Sequence, residues 1–186
     1  MNEIRIHTPL SKETIKNLKA GDQVLLSGTI YTARDAAHAR IKKAIENGKP
    51  LPIDIKGQVI YYAGPSPTPP GRVVGSIGPT TSARMDAFTP MMLEHGLVAT
   101  IGKGNRNEET IEAIKKYGSV YFAAIGGSAA LGAMCVKSLE VVAYDDLGPE
   151  SIKKLEVVDL PLVVAVDCYG NDYYKIGKER YVHQIS

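Results

Sequence analysis

The sequence predicts an α/β fold, because helix-like and strand-like patterns alternate along most of its length. Leu162–Val166 is apolar at every position, as is typical of a strand that is covered on both faces of a sheet. Glycine, proline or asparagine stands at many junctions between these patterns, where such residues end helices and form turns. These observations predict helices layered on a buried sheet.

The first half of the chain contains two predicted helices and four predicted strands. Ser11 is placed to cap a short helix that Gly21 ends, and Asp35 to cap a longer helix that ends at Asn47-Gly48. Residues 64–71 are rich in proline, so this segment cannot be helical and is predicted to be a rigid surface loop or a hinge. The predicted strands are 4–6, 23–26 (with 28–34 as a continuation or a turn), 58–63 and 72–77.

The second half of the chain alternates more regularly. Thr89-Pro90 predicts the start of a helix, since proline suits the first helical position, and His95-Gly96 predicts its end. Residues 172–176 are predicted to pair back on the last strand across a turn at Gly170-Asn171. The elements between are predicted in the order strand 97–101, helix 107–117, strand 119–124, helix 126–134, strand 139–144, helix 149–155 and strand 160–166.

The bulk composition fits one globular domain over residues 1–186 and disfavours several classes of partner. The chain has 186 residues, of which 44% are hydrophobic, and it contains no apolar run long enough to cross a bilayer. The charged, alternating start from Met1 to Arg5 resembles neither a signal peptide nor a transit peptide, so we expect a cytoplasmic protein without a membrane partner. A net charge of +2 without a block of basic residues argues against nucleic acid as the main partner.

The two cysteines do not predict a metal or redox site in this chain. Cys135 and Cys168 lie far apart in sequence and in apolar surroundings. A structural zinc or an iron–sulfur cluster generally takes four protein ligands, which two cysteines alone do not supply. We therefore expect both to be small buried hydrophobic residues with free thiols.

The segment from Gly75 to Asp86 has the most distinctive chemistry. It combines adjacent hydroxyls at Thr80 and Thr81, several small residues and one guanidinium, that of Arg84. Small residues allow a ligand to approach closely, and an arginine can bind a carboxylate or phosphate through two parallel hydrogen bonds. The segment predicts a site for a small anion, although Thr80 or Thr81 could cap a helix and Arg84 could pair with Asp86 instead.

Two further cations follow predicted strands in the same way. Arg34 stands where a strand passes into a helix, although it could equally pair with Asp35 or another helix carboxylate. Lys103 is flanked by glycines, but the spacing of a phosphate-binding P-loop is missing. His38 is expected to be a helix-face residue rather than a base. Convergence of Arg34, Arg84 and Lys103 would suit a dicarboxylate, with each charge-assisted hydrogen bond contributing about 1.5–3 kcal/mol.

Three ordered segments resemble signature sequences of the iron–sulfur class I fumarases and L-tartrate dehydratases. The segments are Arg34-Asp35-Ala36-Ala37-His38, the stretch from Gly78 to Asp86, and Gly102-Lys103-Gly104-Asn105-Arg106. The resemblance is to the β subunit, which is equivalent to the C-terminal domain of the fused enzymes, and it covers the chain from Gln23 to Ile176. It implies a swivelling β/β/α domain with a mixed, largely buried sheet flanked by helices.

The resemblance also implies a cofactor, a partner and a reaction. In that family the α subunit holds a 4Fe–4S cluster through three cysteines, so the cluster is expected on a partner chain in a hetero-oligomer with two-fold symmetry. Arg34, Arg84 and Lys103 match positions that bind the substrate carboxylates, and Thr80 matches the proposed catalytic base. The implied reaction is reversible removal of water from a 2-hydroxydicarboxylate, such as L-malate to fumarate, with the cluster iron as Lewis acid.

Three alternatives stay open at the level of sequence. An L-tartrate dehydratase β subunit would show the same segments, because the two substrates differ by one hydroxyl. A non-catalytic domain could use the same pocket to bind a carboxylate metabolite and regulate a partner. A lyase that works alone without metal is disfavoured, since no strong base is visible in the sequence.

Overall fold

The computed structural model describes residues 3–124 and 129–177. The strands are β1 (Ile4–His7), β2 (Gln23–Thr32), β3 (Val59–Tyr61), β4 (Ala99–Gly102), β5 (Val120–Ala124), β6 (Val136–Ala143) and β7 (Ile152–Val166). The helices are α1 (Lys12–Asn17), α2 (Asp35–Glu46), α3 (Thr89–Glu94), α4 (Glu108–Tyr117) and α5 (Ala129–Cys135), with short 3-10 helices at Ser82–Met85 and Asp145–Glu150.

The strands of the described residues form one mixed sheet that closes into a barrel. From β1 to β5 each strand runs parallel to its neighbour, in the spatial order β1-β2-β3-β4-β5. The long β7 runs antiparallel to β2, β5 and β6. Because β7 pairs with both β2 and β5, the strands β2, β3, β4, β5 and β7 form a closed ring. The predicted α/β fold with a mixed sheet and flanking helices is confirmed, and closure of the sheet is an addition to it.

Two hydrophobic clusters lie on the two faces of this closed sheet. The first is made by alternate residues of the strands, among them Leu26, Ile30, Phe122 and Leu162. The second joins residues of the opposite strand face to helices α2, α3 and α4, and includes Ile41, Met92, Ile114 and Tyr121. Burial of each such side chain contributes about 1.5–3 kcal/mol, so the outer cluster holds the helices in place against the sheet.

Two predicted helix starts are confirmed by their capping hydrogen bonds. The Ser11 hydroxyl accepts a hydrogen bond from Thr14 N at 3.0 Å, and Asn107 Oδ1 accepts one from Thr110 N at 2.8 Å. The predicted cap at Asp35 is wrong by one residue: Arg34 occupies the N-cap of α2, and Asp35 is its first helical residue. The Asp35 carboxylate still faces the positive end of the helix dipole there, which favours the same helix start.

The predicted strand at 72–77 is wrong. Within the described residues that segment makes no ladder, and two of its hydrogen bonds run back to the proline-rich loop: Ser66 N donates to Ser76 O at 3.0 Å, and Ser76 N donates to Ser66 Oγ at 2.8 Å. A further one links Ile77 N to Ala129 O at 3.3 Å. The neighbouring prolines lack the N–H groups that a strand partner needs, so the loop does not support a longer pairing.

Two predictions near the C-terminal end are also corrected. The helix expected at 149–155 is instead the 3-10 helix Asp145–Glu150, interrupted at Gly148 (φ 56°, ψ −118°) and followed directly by β7. Residues 172–176 make one bridge, Val166 to Asp172, and residues 173–177 are then helical. The Asp172 carboxylate accepts a hydrogen bond from Tyr174 N at 2.9 Å, as a helix cap does, and this favours the turn over a strand.

The predicted helix at 126–134 falls partly on residues 126–128, which lie outside the described residues; its remainder is α5. Within residues 3–124 and 129–177, none of the helices has the length and apolar character needed to traverse a membrane.

The parallel strands place the three chemically distinctive segments at one edge of the sheet. β2, β3 and β4 are neighbours and run in the same direction, so their carboxyl ends meet at that edge. Arg34 follows β2, and Lys103 follows β4 directly. The chain from β3 leads through the proline-rich loop to the segment with Thr80 and Arg84. Crevices beside the carboxyl ends of strands are the usual place for ligands in α/β proteins.

Candidate active site

The segment with Thr80 and Arg84 is joined to the Lys103 loop through the backbone. Thr81 and Lys103 form a parallel bridge. Ser82 N donates to Lys103 O at 2.9 Å, and Lys103 N donates to Ser82 Oγ at 3.0 Å, while Ser82 itself is fully buried. These reciprocal bonds fix the backbone of Lys103, and its side chain is left exposed.

The segment with Thr80 and Arg84 is also joined to the start of α2, through an ion pair. Arg84 Nη2 donates to Asp35 Oδ2 at 3.1 Å, and Arg34 Nε lies 3.8 Å from the same carboxylate oxygen. Arg34 Nε also lies 3.4 Å from Glu150 Oε1. Two arginines therefore converge on Asp35. The alternative expected for Arg34, an ion pair with Asp35, is present. The alternative expected for Arg84, an ion pair with Asp86, is wrong, because Arg84 pairs with Asp35 and Asp86 pairs with Arg106.

Arg34 and Arg84 differ in how freely their side chains can move. The Arg34 side chain is 27% exposed and lies against Gly64, where an added methyl group would approach its Cδ and Nη1 to 3.1 Å. The Arg84 side chain is 50% exposed and has one carboxylate partner among the described residues. Arg34 is held by its surroundings, whereas Arg84 is free to turn toward a ligand.

Thr80 lies in the same segment, with its backbone fixed. Thr80 N donates to Tyr62 O at 2.7 Å, and the preceding Pro79 forms a bridge with Ala63. The residue is half-buried. Thr81 occupies the N-cap of the 3-10 helix Ser82–Met85, but its side chain makes no capping hydrogen bond. The expected capping role is therefore not present at Thr81.

A buried ion pair beneath these residues was not predicted from the sequence. Arg106 Nε donates to Asp86 Oδ1 at 2.6 Å, and Asn107 N donates to Asp86 Oδ2 at 2.9 Å. The Arg106 side chain is 0% exposed and that of Asp86 is 7% exposed. Both residues belong to the singled-out segments, but no spacing rule links two side chains that meet only after β4 has been placed beside β3.

His38 is a buried residue of the α2 face, as expected, and it is neutral. Its Nδ1 donates to Arg34 O at 2.8 Å, and its ring lies edge-on to Tyr62 with the centroids 5.5 Å apart. Burial lowers the pKa of His38 from 6.5 to about 4, although the bond to Arg34 O opposes the shift. The ring supports the backbone at Arg34 and carries no charge at neutral pH.

The buried imidazole makes the stability of the protein depend on pH. The unfolded chain protonates His38 near pH 6.5 and the folded protein only near pH 4, so the unfolded state binds more protons in between. The free energy of unfolding is therefore expected to fall as the pH is lowered through this window, by up to about 1.4 kcal/mol per pH unit from this group. Denaturant unfolding of His38→Phe at a series of pH values should show a shallower dependence than wild type. If the free energy of unfolding changes equally with pH in wild type and His38→Phe, the pH dependence does not come from His38.

The cysteines of this chain do not fit an iron–sulfur cluster. Cys135 Sγ lies 3.6 Å from Asp159 O, and Cys168 Sγ lies 3.7 Å from Ile15 O, so the two free thiols occupy separate backbone environments. Burial raises the pKa of both thiols, which disfavours the thiolate that a metal needs. Within the described part of the chain, no group of three or more histidine, cysteine, aspartate or glutamate side chains is placed to hold a metal ion.

Comparison with known proteins identifies relatives over nearly the whole chain. A family model described as "Fumarase C-terminus" matches residues 1–177. "Fumarate hydratase 2" of Leishmania major is 42% identical over 176 residues, which are 92% of this chain and 31% of that protein. "Fumarate hydratase class I, anaerobic" of Escherichia coli is 47% identical over 152 residues, 81% of this chain and 28% of that protein. The chain thus spans less than a third of these two relatives.

A third relative matches over most of its own length. The "Putative L(+)-tartrate dehydratase subunit beta" of Methanocaldococcus jannaschii is 42% identical over 179 residues, which cover 92% of both chains. The region that the family model matches, residues 1–177, includes the segments that contain Arg34, Thr80, Arg84 and Lys103.

Proposed function

This chain belongs to the fumarase C-terminus family, and we propose that it is the β part of a hydro-lyase that interconverts a 2-hydroxydicarboxylate and its unsaturated acid, most simply L-malate and fumarate. The proposal extends to one domain of the swivelling β/β/α type over residues 1–186. It also extends to assembly, in the cytoplasm, with an α subunit in a two-fold hetero-oligomer. A relative at 42% identity has a printed name that makes it a β subunit, and a β subunit of that kind implies an α partner.

The observation that carries the proposal is the convergence of Arg34 and Arg84 on the single carboxylate of Asp35. The shared ion pair with Asp35 shows that both guanidinium groups can reach one carboxylate. An exposed ion pair of this kind contributes only about 0–1 kcal/mol, so a dianion that brings its own carboxylate can displace Arg84 from Asp35 at little cost. Lys103, held beside Thr81 by the backbone, supplies a third cation for the second carboxylate.

These cations would both bind and activate the substrate. Each guanidinium or ammonium hydrogen bond to a carboxylate is charge-assisted and contributes about 1.5–3 kcal/mol. As the C–H proton beside a carboxylate leaves, negative charge moves onto that carboxylate. Cations that are already in place stabilise this charge without rearranging, so they lower the barrier as well as the KM.

The thiols of this chain do not fit a 4Fe–4S cluster, so we propose that the cluster belongs to the α subunit. The open arrangement of Arg84 and Lys103 suits a site whose other wall lies on a second chain. In this arrangement, the present chain binds and orients the dianion and receives the C–H proton that the substrate loses.

We propose Thr80 as the residue that receives this proton. Its backbone is held at Tyr62 O, and it precedes Arg84 by four residues in the same segment. Thr80 would take this proton in its deprotonated form, in which the alkoxide oxygen accepts the proton and becomes a hydroxyl again. Its role therefore depends on that oxygen rather than on the shape of the side chain.

A pair of variants separates the hydroxyl of Thr80 from its shape. Thr80→Val keeps the branched side chain but removes the hydroxyl, and we expect kcat of the assembled enzyme to fall by about 10²–10⁴-fold, the usual contribution of a general base. Thr80→Ser keeps a hydroxyl and should retain more activity than Thr80→Val. Initial rates of fumarate hydration give both values. A Thr80→Val enzyme with wild-type kcat would exclude Thr80 as the base.

An L-tartrate dehydratase β subunit is the second candidate, because the relative with that printed name matches at 92% of both chains. A panel of fumarate, L-malate and L-tartrate, tested on the complex with a cysteine-bearing partner under anaerobic conditions, distinguishes the two. Turnover of fumarate and L-malate supports the proposal, and turnover of L-tartrate alone supports the second candidate. A complex that binds these acids without turnover would point to a non-catalytic regulatory domain.

A further inference from the structure

The buried ion pair Asp86–Arg106 is the centre of a polar network that no part of the proposed function uses. Arg106 Nη2 donates to Thr89 Oγ1 at 2.6 Å, and Arg106 Nη1 lies 3.3 Å from Thr100 Oγ1. The guanidinium also stacks over the Tyr121 ring, with its carbon 4.7 Å from the ring centroid. A guanidinium with all these partners, fully removed from water, has one orientation open to it.

This network connects the backbone positions that carry two of the proposed substrate-binding cations. Asp86 lies two residues after Arg84, and Arg106 lies three residues after Lys103. One Asp86 oxygen accepts a hydrogen bond from Arg106 and the other accepts one from Asn107 N. Because Asp86 stands at the end of the Ser82–Met85 helix, its carboxylate ties the loop that follows Lys103 to that helix.

A second link in the same network lies closer to Lys103. The Tyr121 hydroxyl lies 2.9 Å from both Ser82 Oγ and Gly104 O, and Ser82 Oγ accepts the N–H of Lys103. Tyr121 itself is 0% exposed and supports the Arg106 guanidinium with its ring face. The loop bearing Lys103 is thereby held at both its ends, at Ser82 and at Asp86.

We propose that the Asp86–Arg106 ion pair is a positioning unit that sets the separation between Arg84 and Lys103 and so determines how well the site fits a dicarboxylate. Neither residue contacts solvent enough to bind substrate, so both act through their neighbours. The inference rests on the proposed function, because it assigns a consequence for substrate binding to a pair buried beneath the site.

The two possible roles of a buried ion pair differ in their kinetic signature. A pair that only stabilises the fold reduces the amount of active enzyme when it is broken, which lowers the apparent kcat and leaves KM unchanged. A pair that positions Arg84 and Lys103 changes their separation when it is broken, so the substrate is held less well in the enzyme that remains folded. The distinguishing readout is therefore KM.

The test compares Asp86→Asn and Arg106→Lys with wild type in the assembled complex, with fumarate and L-malate as substrates. Asparagine keeps one acceptor oxygen but loses the charge, and lysine keeps the charge but loses the planar, three-way contacts of the guanidinium. We expect KM to rise at least tenfold in each variant. The concentration of active enzyme is calculated from the folded fraction, which is measured by circular dichroism at the assay temperature.

Asp167→Asn is the matched control. Asp167 is likewise buried, at 1% exposure, and accepts hydrogen bonds from Ala20 N, Tyr169 N and Asn171 N, but it lies beyond β7 at the opposite end of the barrel strands from Lys103. We expect it to lower thermal stability while KM stays within twofold of wild type.

Every outcome decides the inference. An unchanged KM in Asp86→Asn and Arg106→Lys, with wild-type complex active, overturns it and leaves the proposed function intact. A KM that rises equally in Asp167→Asn overturns it too, because the effect would then follow lost stability. Failure of both variants to fold assigns the pair to the fold rather than to the site. An inactive wild-type complex refutes the proposed function, and the inference falls with it.

Discussion

Arg84→Ala is expected to lower kcat/KM of the assembled enzyme by about 10²- to 10⁴-fold, which corresponds to the loss of two charge-assisted hydrogen bonds of about 1.5–3 kcal/mol each. The effect on folding should be small. The Arg84 side chain is half exposed, and its ion pair with Asp35 is of the exposed kind that contributes about 0–1 kcal/mol. Steady-state kinetics and thermal unfolding of the same preparation measure both quantities.

Arg5→Ala is a suitable control for this variant. Arg5 also forms an ion pair from an exposed position, with Asp159, and lies on β1 away from the carboxyl ends of β3 and β4. It should leave both kcat/KM and thermal stability close to wild type. If Arg84→Ala retains wild-type kcat/KM, Arg84 does not bind the substrate carboxylate.

Gly102→Ala is expected to lower both stability and activity, because the added methyl group meets buried side chains that support Lys103. An added methyl group would overlap with Ser82 Oγ and approach the Tyr62 ring to 3.0 Å, in a place where both neighbours are buried. Such overpacking costs about 1–3 kcal/mol of stability. Because Ser82 Oγ is the acceptor for Lys103 N, its displacement should also shift Lys103 and lower kcat/KM by about tenfold or more.

Gly177→Ala provides the comparison for the glycine substitution. Among residues 3–124 and 129–177, nothing lies within 4 Å of a methyl group added at Gly177, and residues 173–177 are helical, so alanine should be tolerated there. Thermal unfolding and kinetics are measured for both variants. A Gly102→Ala enzyme with the stability and kcat/KM of wild type would show that the close contact with Ser82 does not constrain Lys103.

The parts of the fold that were predicted from the sequence are those fixed by local chemistry. Ser11 and Asn107 cap their helices through bonds to residues three positions away, and such a spacing is readable in one dimension. The strand at 120–124 is a run of apolar residues that follows a glycine, and it too depends on neighbours along the chain.

The errors arose where distant partners decide the structure. Residues 152–155 come shortly after a proline and resemble a helix start, but they pair with β6 on one side. On the other side residues 153–155 pair with β2, which lies more than a hundred residues earlier in the chain. Residues 72–77 have the composition of a strand, but the proline-rich loop beside them offers no ladder of N–H groups. In both cases the tertiary neighbour overrides the local pattern.

In the candidate site, too, the features that depend on local sequence were predicted and those that depend on distant contacts were not. The sequence was enough to single out Arg34, Arg84 and Lys103, because a cation among small residues after a strand is a local pattern. It was not enough to show that Asp35 would bring both arginines together, or that Asp86 would pair with Arg106, since these contacts exist only when β2, β3 and β4 lie side by side.

The central claim is that this chain supplies one wall of a hydro-lyase site and a partner supplies the other. The most direct test is the rate of fumarate hydration by this chain alone, by the cysteine-bearing partner alone and by the anaerobically assembled complex, with L-malate formation measured in each. We predict that each chain alone is inactive and that the complex turns over. A complex that hydrates neither fumarate nor a related unsaturated dicarboxylate, or full activity from this chain alone, would contradict the account.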